Sequence, residues 1–195
     1  MQSREPALGM GDEVEIAEYD SAWPGAYERE RTAILGALGE LVFAIEHVGS
    51  TSVPGLGAKP IIDIMIGLRE LTDHARCVAP LQSLGYEHKG EVGIPDRHYF
   101  RKPVLGPRTH QIHMVEHGSD FWVRHLLFRD YLRANPDKAA AYDRLKRELA
   151  ERFGTDREGY TEAKTEFIRS AEAKARARTT FDSVGQASAC RQPEG

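Results

Sequence analysis

The stretch between Glu46 and Asp63 concentrates the residues that could do chemistry. Gly49-Ser50-Thr51-Ser52 places three hydroxyls behind a glycine, Lys59 follows, and Asp63 then stands alone among Ile61, Ile62, Ile64 and Ile66. Glycine permits close backbone approach to a ligand, and hydroxyls with backbone N–H groups at a short turn are a common way to hold phosphate oxygens. The same composition also makes a tight interstrand connection that needs no ligand. Asp63 shifts the balance, because a carboxylate in an apolar run costs free energy unless it pairs, accepts hydrogen bonds or meets a cation. Pairing with Lys59 or capping the loop would satisfy it. So would a bound cation, which would leave Lys59 for a phosphate.

Other candidates lie further along the chain. His110 and His113 are three apart, so they would not share a face on a regular strand. His113 could act as a general base near neutral pH, complete a metal shell, or pack as a core histidine. His98, His110, His113 and His117 have no zinc-type spacing, and Ser50 lacks the Gly-x-Ser-x-Gly elbow of a hydrolase nucleophile. Arg101, Arg129 and Lys164 could offset phosphate charge if the fold brings them to the loop.

The elements that must position these residues are legible as patterns. Polar and apolar residues alternate from Glu13 to Tyr19, which predicts a first strand. Asp20 or Ser21 caps a predicted helix carrying Trp23, Tyr27, Ile34 and Leu38 and closed near Gly39. Leu41 to Ile45 leads into the Gly49 to Pro60 loop, and Ile61 to Ile66 is β-branched and apolar enough for a central strand. Thr72 caps a helix to Leu84, Tyr86 to Lys89 is a weak strand, and His98 to Lys102 with Gln111 to Val115 predicts a hairpin. From Ser119 the pattern is helical: one helix ends before Asn135-Pro136, a second runs from Asp137 to Phe153, and a third covers about 156–178. The expected class is α+β, a mixed β-sheet core with a C-terminal helical layer.

The chain has 195 residues, 41% of them hydrophobic and 29% charged, the balance of a soluble globular protein. Residues 12–178 are expected to form one domain, with 1–11 and 179–195 as flexible ends. No run reaches the roughly 18 apolar residues of a membrane span, and the N-terminus lacks a signal-peptide core, so a cytoplasmic protein is expected. Cys77 and Cys190 support neither a disulfide framework nor a thiolate metal site. With 26 Lys+Arg against 30 Asp+Glu, the net charge of −4 disfavours a nucleic-acid partner.

The run from Glu46 to Ile64, with His110-Gln111-Ile112-His113, Phe128 to Arg133 and Tyr160 to Lys164, resembles the GrpB family of bacterial proteins, over most of the chain. That family is assigned to the DNA polymerase beta-like nucleotidyltransferase superfamily, whose pattern is Gly-Ser, a spacer, then Asp-x-Asp or Asp-x-Glu on a strand. The resemblance implies a nucleotidyltransferase-like core in which Gly49 and Ser50, with Thr51, Ser52, Lys59 and Arg101 nearby, hold the phosphates of a nucleoside triphosphate. Asp63, joined by His113, would bind Mg²⁺ or Mn²⁺ for nucleotidyl transfer to a small acceptor. Met65 occupies the second acidic position, and a thioether is a poor ligand for Mg²⁺. The alternative expectation is therefore a nucleotide- or phosphate-binding accessory module that has lost turnover. GrpB-like domains fused to dephospho-coenzyme A kinase imply a link of such a module to coenzyme A metabolism.

Overall fold

The computed structural model describes residues 15–189. Strand β1 spans Ala44–Val48, β2 Ile62–Leu68, β3 Glu87–His88, β4 His98–Lys102 and β5 His110–Glu116. They form one mixed sheet in the order β1-β2-β5-β4-β3, antiparallel except for the β2–β5 pair. The hairpin expected from sequence is β4–β5. Its second strand inserts parallel beside β2, so Asp63 pairs in register with Gln111 and Met65 with His113.

Ile62, Ile64, Ile66 and Leu68 face helices α1 (Trp23–Leu38) and α2 (His74–Ser83) and join Ile34, Leu81, Phe100 and Ile112 in the main core. Full burial of each such aliphatic chain stabilises the fold by roughly 1.5–3 kcal/mol. Helix α1 carries Pro24 in its first turn, where a missing N–H costs little, and Asp20 Oδ1 accepts from Ala22 N at 2.8 Å. On the opposite face of β2, Met65 packs with Val48, Val115 and Trp122 of α3 (Asp120–Ala134). A Cβ on Gly67 would lie 2.9 Å from Trp122 Cζ3, so the indole rests against bare backbone.

Helices α4 (Pro136–Phe153), α5 (Arg157–Ala163) and α6 (Thr165–Ala189) complete the C-terminal helical layer. Val53 and Leu56 of the loop pack there with Tyr131, Leu132, Ala139, Tyr142, Ala171 and Ala175. The α+β architecture agrees with expectation, with three corrections. Of the strand expected at Glu13 to Tyr19, the described part begins at Glu15, and there only Ala17 pairs, in an isolated antiparallel bridge to Ala58, because this segment lies over the loop and not in the sheet. The first sheet strand starts at Ala44 and includes Glu46 and His47, later than Leu41 to Ile45. The helix expected over about 156–178 breaks at Lys164 and then continues through Ala189, since no proline stops it. The expected flexible end at 1–11 and the stretch beyond Ala189 lie outside the described residues.

Three histidines are built into the packed layers as neutral rings. His47 stacks on Tyr27 with 4.6 Å between centroids, and burial pushes its pKa down to about 4. His125 stacks on Phe121 at 4.0 Å and is likewise pushed down to about 4 by burial, and His113 to about 3. In an unfolded chain these rings take up protons near pH 6.5, which the native structure refuses, so their contribution to stability is lost as pH falls. Asp63 opposes them: burial raises its pKa from 3.8 to about 6, so in that window the native state is the one that holds the extra proton. Near pH 5 the unfolded chain therefore binds about two more protons than the folded one. Urea denaturation from pH 7 to 4.5 is expected to show stability falling steeply with acidification; a flat profile would contradict neutral burial of these rings.

Candidate functional site

Asp63 is the second residue of β2, with its side chain on the face turned away from α1 and α2. Gln111 donates from Nε2 to Asp63 Oδ1, while Gln111 Oε1 accepts from the Tyr99 hydroxyl at 2.7 Å. That hydroxyl accepts in turn from Arg108 Nη1 at 3.0 Å. A hydrogen-bonded chain from a guanidinium thus fixes both the amide and the carboxyl. On the other side the loop closes directly over the acid. Gly49 has φ 71°, and a Cβ there would overlap Asp63 Oδ2 and lie 2.9 Å from Cγ. Glycine is required for both conformation and space.

The carboxyl opens into a cavity of about 360 Å³ bounded by the loop, the start of β5 and helices α4 and α5. Its polar wall is strongly cationic: Lys59, Arg108, Lys146 and Lys164 all line it, against Asp63 as the one carboxyl among the described lining residues. Asp63 keeps 21% side-chain exposure through this opening. Burial by the surrounding protein pushes its pKa up to about 6, against the Gln111 hydrogen bond and the positive charges of Lys164, Arg108 and Lys59.

The lysines differ in how they are held. Lys146 is 2% exposed and donates to the Gly57 carbonyl, with Asp143 Oδ1 at 3.8 Å. Lys164 sits at the break between α5 and α6, its Nζ 4.2 Å from the Tyr160 ring centroid. Lys59 Nζ approaches the same ring at 4.7 Å. Burial pushes Lys146 down to about 8, and burial followed by the nearby Lys59 charge does the same to Lys164.

The expected site residues divide on inspection. Ser50, Thr51, Lys59 and Asp63 line the cavity. The Thr51 hydroxyl, however, donates to Ile61 O at 3.3 Å and lies 3.0 Å from His47 Nε2, and Ser52 Oγ donates to Gly49 O at 2.6 Å. Both brace the turn, so the phosphate contact expected of these two hydroxyls is already spent inside the fold. Ser50 makes no side-chain hydrogen bond among the described residues. Arg101 donates from Nε to Glu87 Oε2 at 2.6 Å and does not line the cavity; Arg108 stands there in its place.

His113 also departs from expectation. Arg97 Nη1 lies 3.1 Å from His113 Nδ1, and because a guanidinium can only donate, Nδ1 accepts and Nε2 carries the proton. That N–H faces Asp63 Oδ1 at 4.0 Å. With its pKa held down to about 3 by burial, His125 and Arg97, the ring has no free lone pair toward the acid. The general-base and metal-ligand roles expected of His113 do not fit this arrangement.

The same donors decide whether the face suits a divalent ion. Beside Asp63, Met65 is buried among apolar side chains, and Glu46, opposite Met65 in register, is ion-paired to Arg129 Nη1 at 2.6 Å. Among the described residues no three His, Cys, Asp or Glu side chains form a metal-holding group. A hard cation that prefers several oxygen ligands finds one carboxyl here, surrounded by cations. The protein residues do not fit a resident Mg²⁺ or Mn²⁺.

Sequence reasoning passed over Arg108, Gln111 and Lys146. Arg108 and Gln111 come to Asp63 through the parallel β2–β5 register, which local patterns do not encode, and Lys146 is one basic residue among several on α4.

Comparison with known proteins places this arrangement in a family. UPF0157 protein YqkA of Bacillus subtilis is 40% identical over 163 residues, covering 84% of this chain and 47% of the relative, so the chain spans about half of that protein's length. A dephospho-CoA kinase of Mycolicibacterium paratuberculosis is 30% identical over 182 residues, covering 81% of this chain and 45% of the kinase. The crystal structure of conserved protein GrpB from Enterococcus faecalis superposes with a TM-score of 0.78 at 37% identity, over 85% of this chain and 99% of the other. Residues 13–174 match the family model described as GrpB protein, a span that includes β1 to β5, the Gly49 loop and every cavity residue named above, and the chain belongs to the GrpB family.

Proposed function

We propose that this protein binds a phosphorylated small molecule in the Asp63 cavity, and that binding does not depend on a protein-held metal. The observation that carries this reading is the convergence of Lys59, Arg108, Lys146 and Lys164 on one opening of about 360 Å³. Four cations against one carboxyl, in a partly desolvated concavity, attract a multiply charged anion far more strongly than the same groups on an open surface. Asp63, tilted by Gln111 and pressed against Gly49, supplies an acceptor for a ligand hydroxyl or amine.

Nucleotidyl transfer to an acceptor, implied by the family resemblance, needs carboxylates that hold metal ions at the reacting phosphate. Met65 and the Arg129-paired Glu46 remove two such positions. The binding-module reading keeps the loop and the acid and needs neither. Similarity to a dephospho-CoA kinase is a reason to include dephospho-coenzyme A among the ligands tried.

Isothermal titration with pyrophosphate, ATP and dephospho-coenzyme A, each with Mg²⁺ and with EDTA, tests the proposal. At least pyrophosphate is expected to bind in EDTA. Asp63→Asn removes the one negative charge and is expected to tighten binding several-fold, on the order of 1 kcal/mol for a screened unit charge. A metal-centred site requires the reverse, with binding lost in EDTA and in Asp63→Asn.

Acid dependence gives a second, independent check. Protonation of Asp63 as pH falls through about 6 makes the cavity more positive. Sulfate, whose charge is constant over this range, is expected to bind several-fold more tightly at pH 5.5 than at pH 7.5, and Asp63→Asn is expected to reduce that difference to the small part contributed by Lys146 and Lys164, whose pKa values are pushed down to about 8. Equal sulfate affinity at both pH values in the unaltered protein would remove Asp63 from the binding site.

A further inference from the structure

Lys164 stands apart from the other cavity cations. Lys146 is tethered to the Gly57 carbonyl and Asp143, and Arg108 is committed to the Tyr99 hydroxyl. Lys164 has no hydrogen bond or ion pair to a protein acceptor among the described residues; its Nζ lies over the Tyr160 ring, which it shares with Lys59. The helix break between Ala163 and Thr165 aims this side chain into the cavity that Asp63 also faces. An amine placed beside a second cation in a partly desolvated cleft is the environment that turns lysine into a nucleophile.

From this geometry we infer that Lys164 forms an imine with a phosphorylated aldehyde or ketone, its phosphate held by Lys59, Arg108 and Lys146. The inference rests on the anion-binding reading of the cavity and names a ligand class for it. The cavity wall carries both kinds of group this requires: cations to anchor the phosphate, and Asp63 to move a proton. Burial and the Lys59 charge hold the Lys164 pKa down to about 8, which keeps a working fraction of free amine near neutral pH. Burial likewise keeps a fraction of Asp63 as the acid.

The step balances without an oxidant or reductant. The Lys164 nitrogen pair forms the C–N bond as the carbonyl π pair moves to oxygen, and one N–H proton passes to that oxygen to give a carbinolamine. Asp63 then donates its proton to the departing hydroxyl, which leaves as water. The products are a protonated imine and the Asp63 carboxylate as its counter-ion. Tyr160 is buried and already in contact with two ammonium groups, so its ring is unavailable for stacking on a nucleobase, which favours a small phosphorylated carbonyl compound over recognition through a base.

Incubation of the full chain with pyridoxal 5′-phosphate, reduction with borohydride and peptide mapping tests the inference. The expected result is one dominant adduct, at Lys164, suppressed about tenfold by excess pyrophosphate and formed about tenfold more slowly with unphosphorylated pyridoxal, as electrostatic capture requires. Lys164→Arg, which keeps the charge, is expected to lose the adduct, and Lys138→Arg on the surface to keep it. Pyrophosphate binding by titration with no adduct at Lys164, or an adduct spread over many lysines, overturns the imine while leaving the anion site intact. No pyrophosphate binding overturns both.

Discussion

The arrangement depends on one contact between a carboxyl and a glycine. Asp63 can stand at the start of an otherwise apolar β2 because Gly49 leaves room for its Oδ2, Gln111 donates to its Oδ1, and lysines across the cavity offset its charge. Each partner comes from a different part of the chain: the loop after β1, strand β5, and helices α4 and α5. The acid is therefore a point at which the sheet, the loop and the helical layer must agree. Its raised pKa records that the agreement is incomplete, since burial still disfavours the ion despite four nearby cations.

Helix α3 secures the other side of that contact. Arg129 donates from Nη1 to Glu46 Oε2 at 2.6 Å and to His47 O at 3.1 Å, which ties the helix to the end of β1. One turn later Arg133 donates from Nε and Nη2 to Ser52 O at 3.0 and 2.8 Å, which ties it to the turn itself. These charge-assisted hydrogen bonds draw the chain before and after Gly49 toward one rigid element. Thr51 and Ser52 contribute from inside the turn. The hydroxyl-rich composition that resembles a phosphate loop is thus spent largely on holding the loop's own shape, and the positive charge of the cavity comes from Lys59 at the loop's far end and from Arg108, Lys146 and Lys164 outside it.

Much of this was legible in the sequence where local pattern carries the information. The unbroken apolar run around Asp63 marked β2 as a buried strand, the alternation at His98 to Lys102 and Gln111 to Val115 gave the β4–β5 hairpin, and Asn135-Pro136 marked the junction of α3 and α4. Asp63 itself was conspicuous because its cost in apolar surroundings is a local fact. What escaped was set by partners distant in sequence. Arg101 and Arg108 flank the same hairpin turn, yet Glu87 on the neighbouring strand captures the first and the parallel register delivers the second to the cavity. The alternation from Glu13 to Tyr19 is real, but Ile16 uses it to reach the cluster of Leu149 and Tyr160 and not a sheet.

Met65 sets the character of the face it shares with Asp63. A second carboxylate there would share the face of Asp63, and two like charges so close would demand a cation between them. Met65 instead extends the apolar contact of Val48, Val115 and Trp122, so α3 can pack tightly against the sheet right up to the edge of the acid. Positive charge is then needed for a single carboxyl only, and lysines on the loop and helices provide more than that carboxyl can neutralise. The excess has to be met from solution. A pair of acids at the same two positions would draw a metal, whereas one acid among Lys59, Arg108, Lys146 and Lys164 leaves the cavity wall net positive.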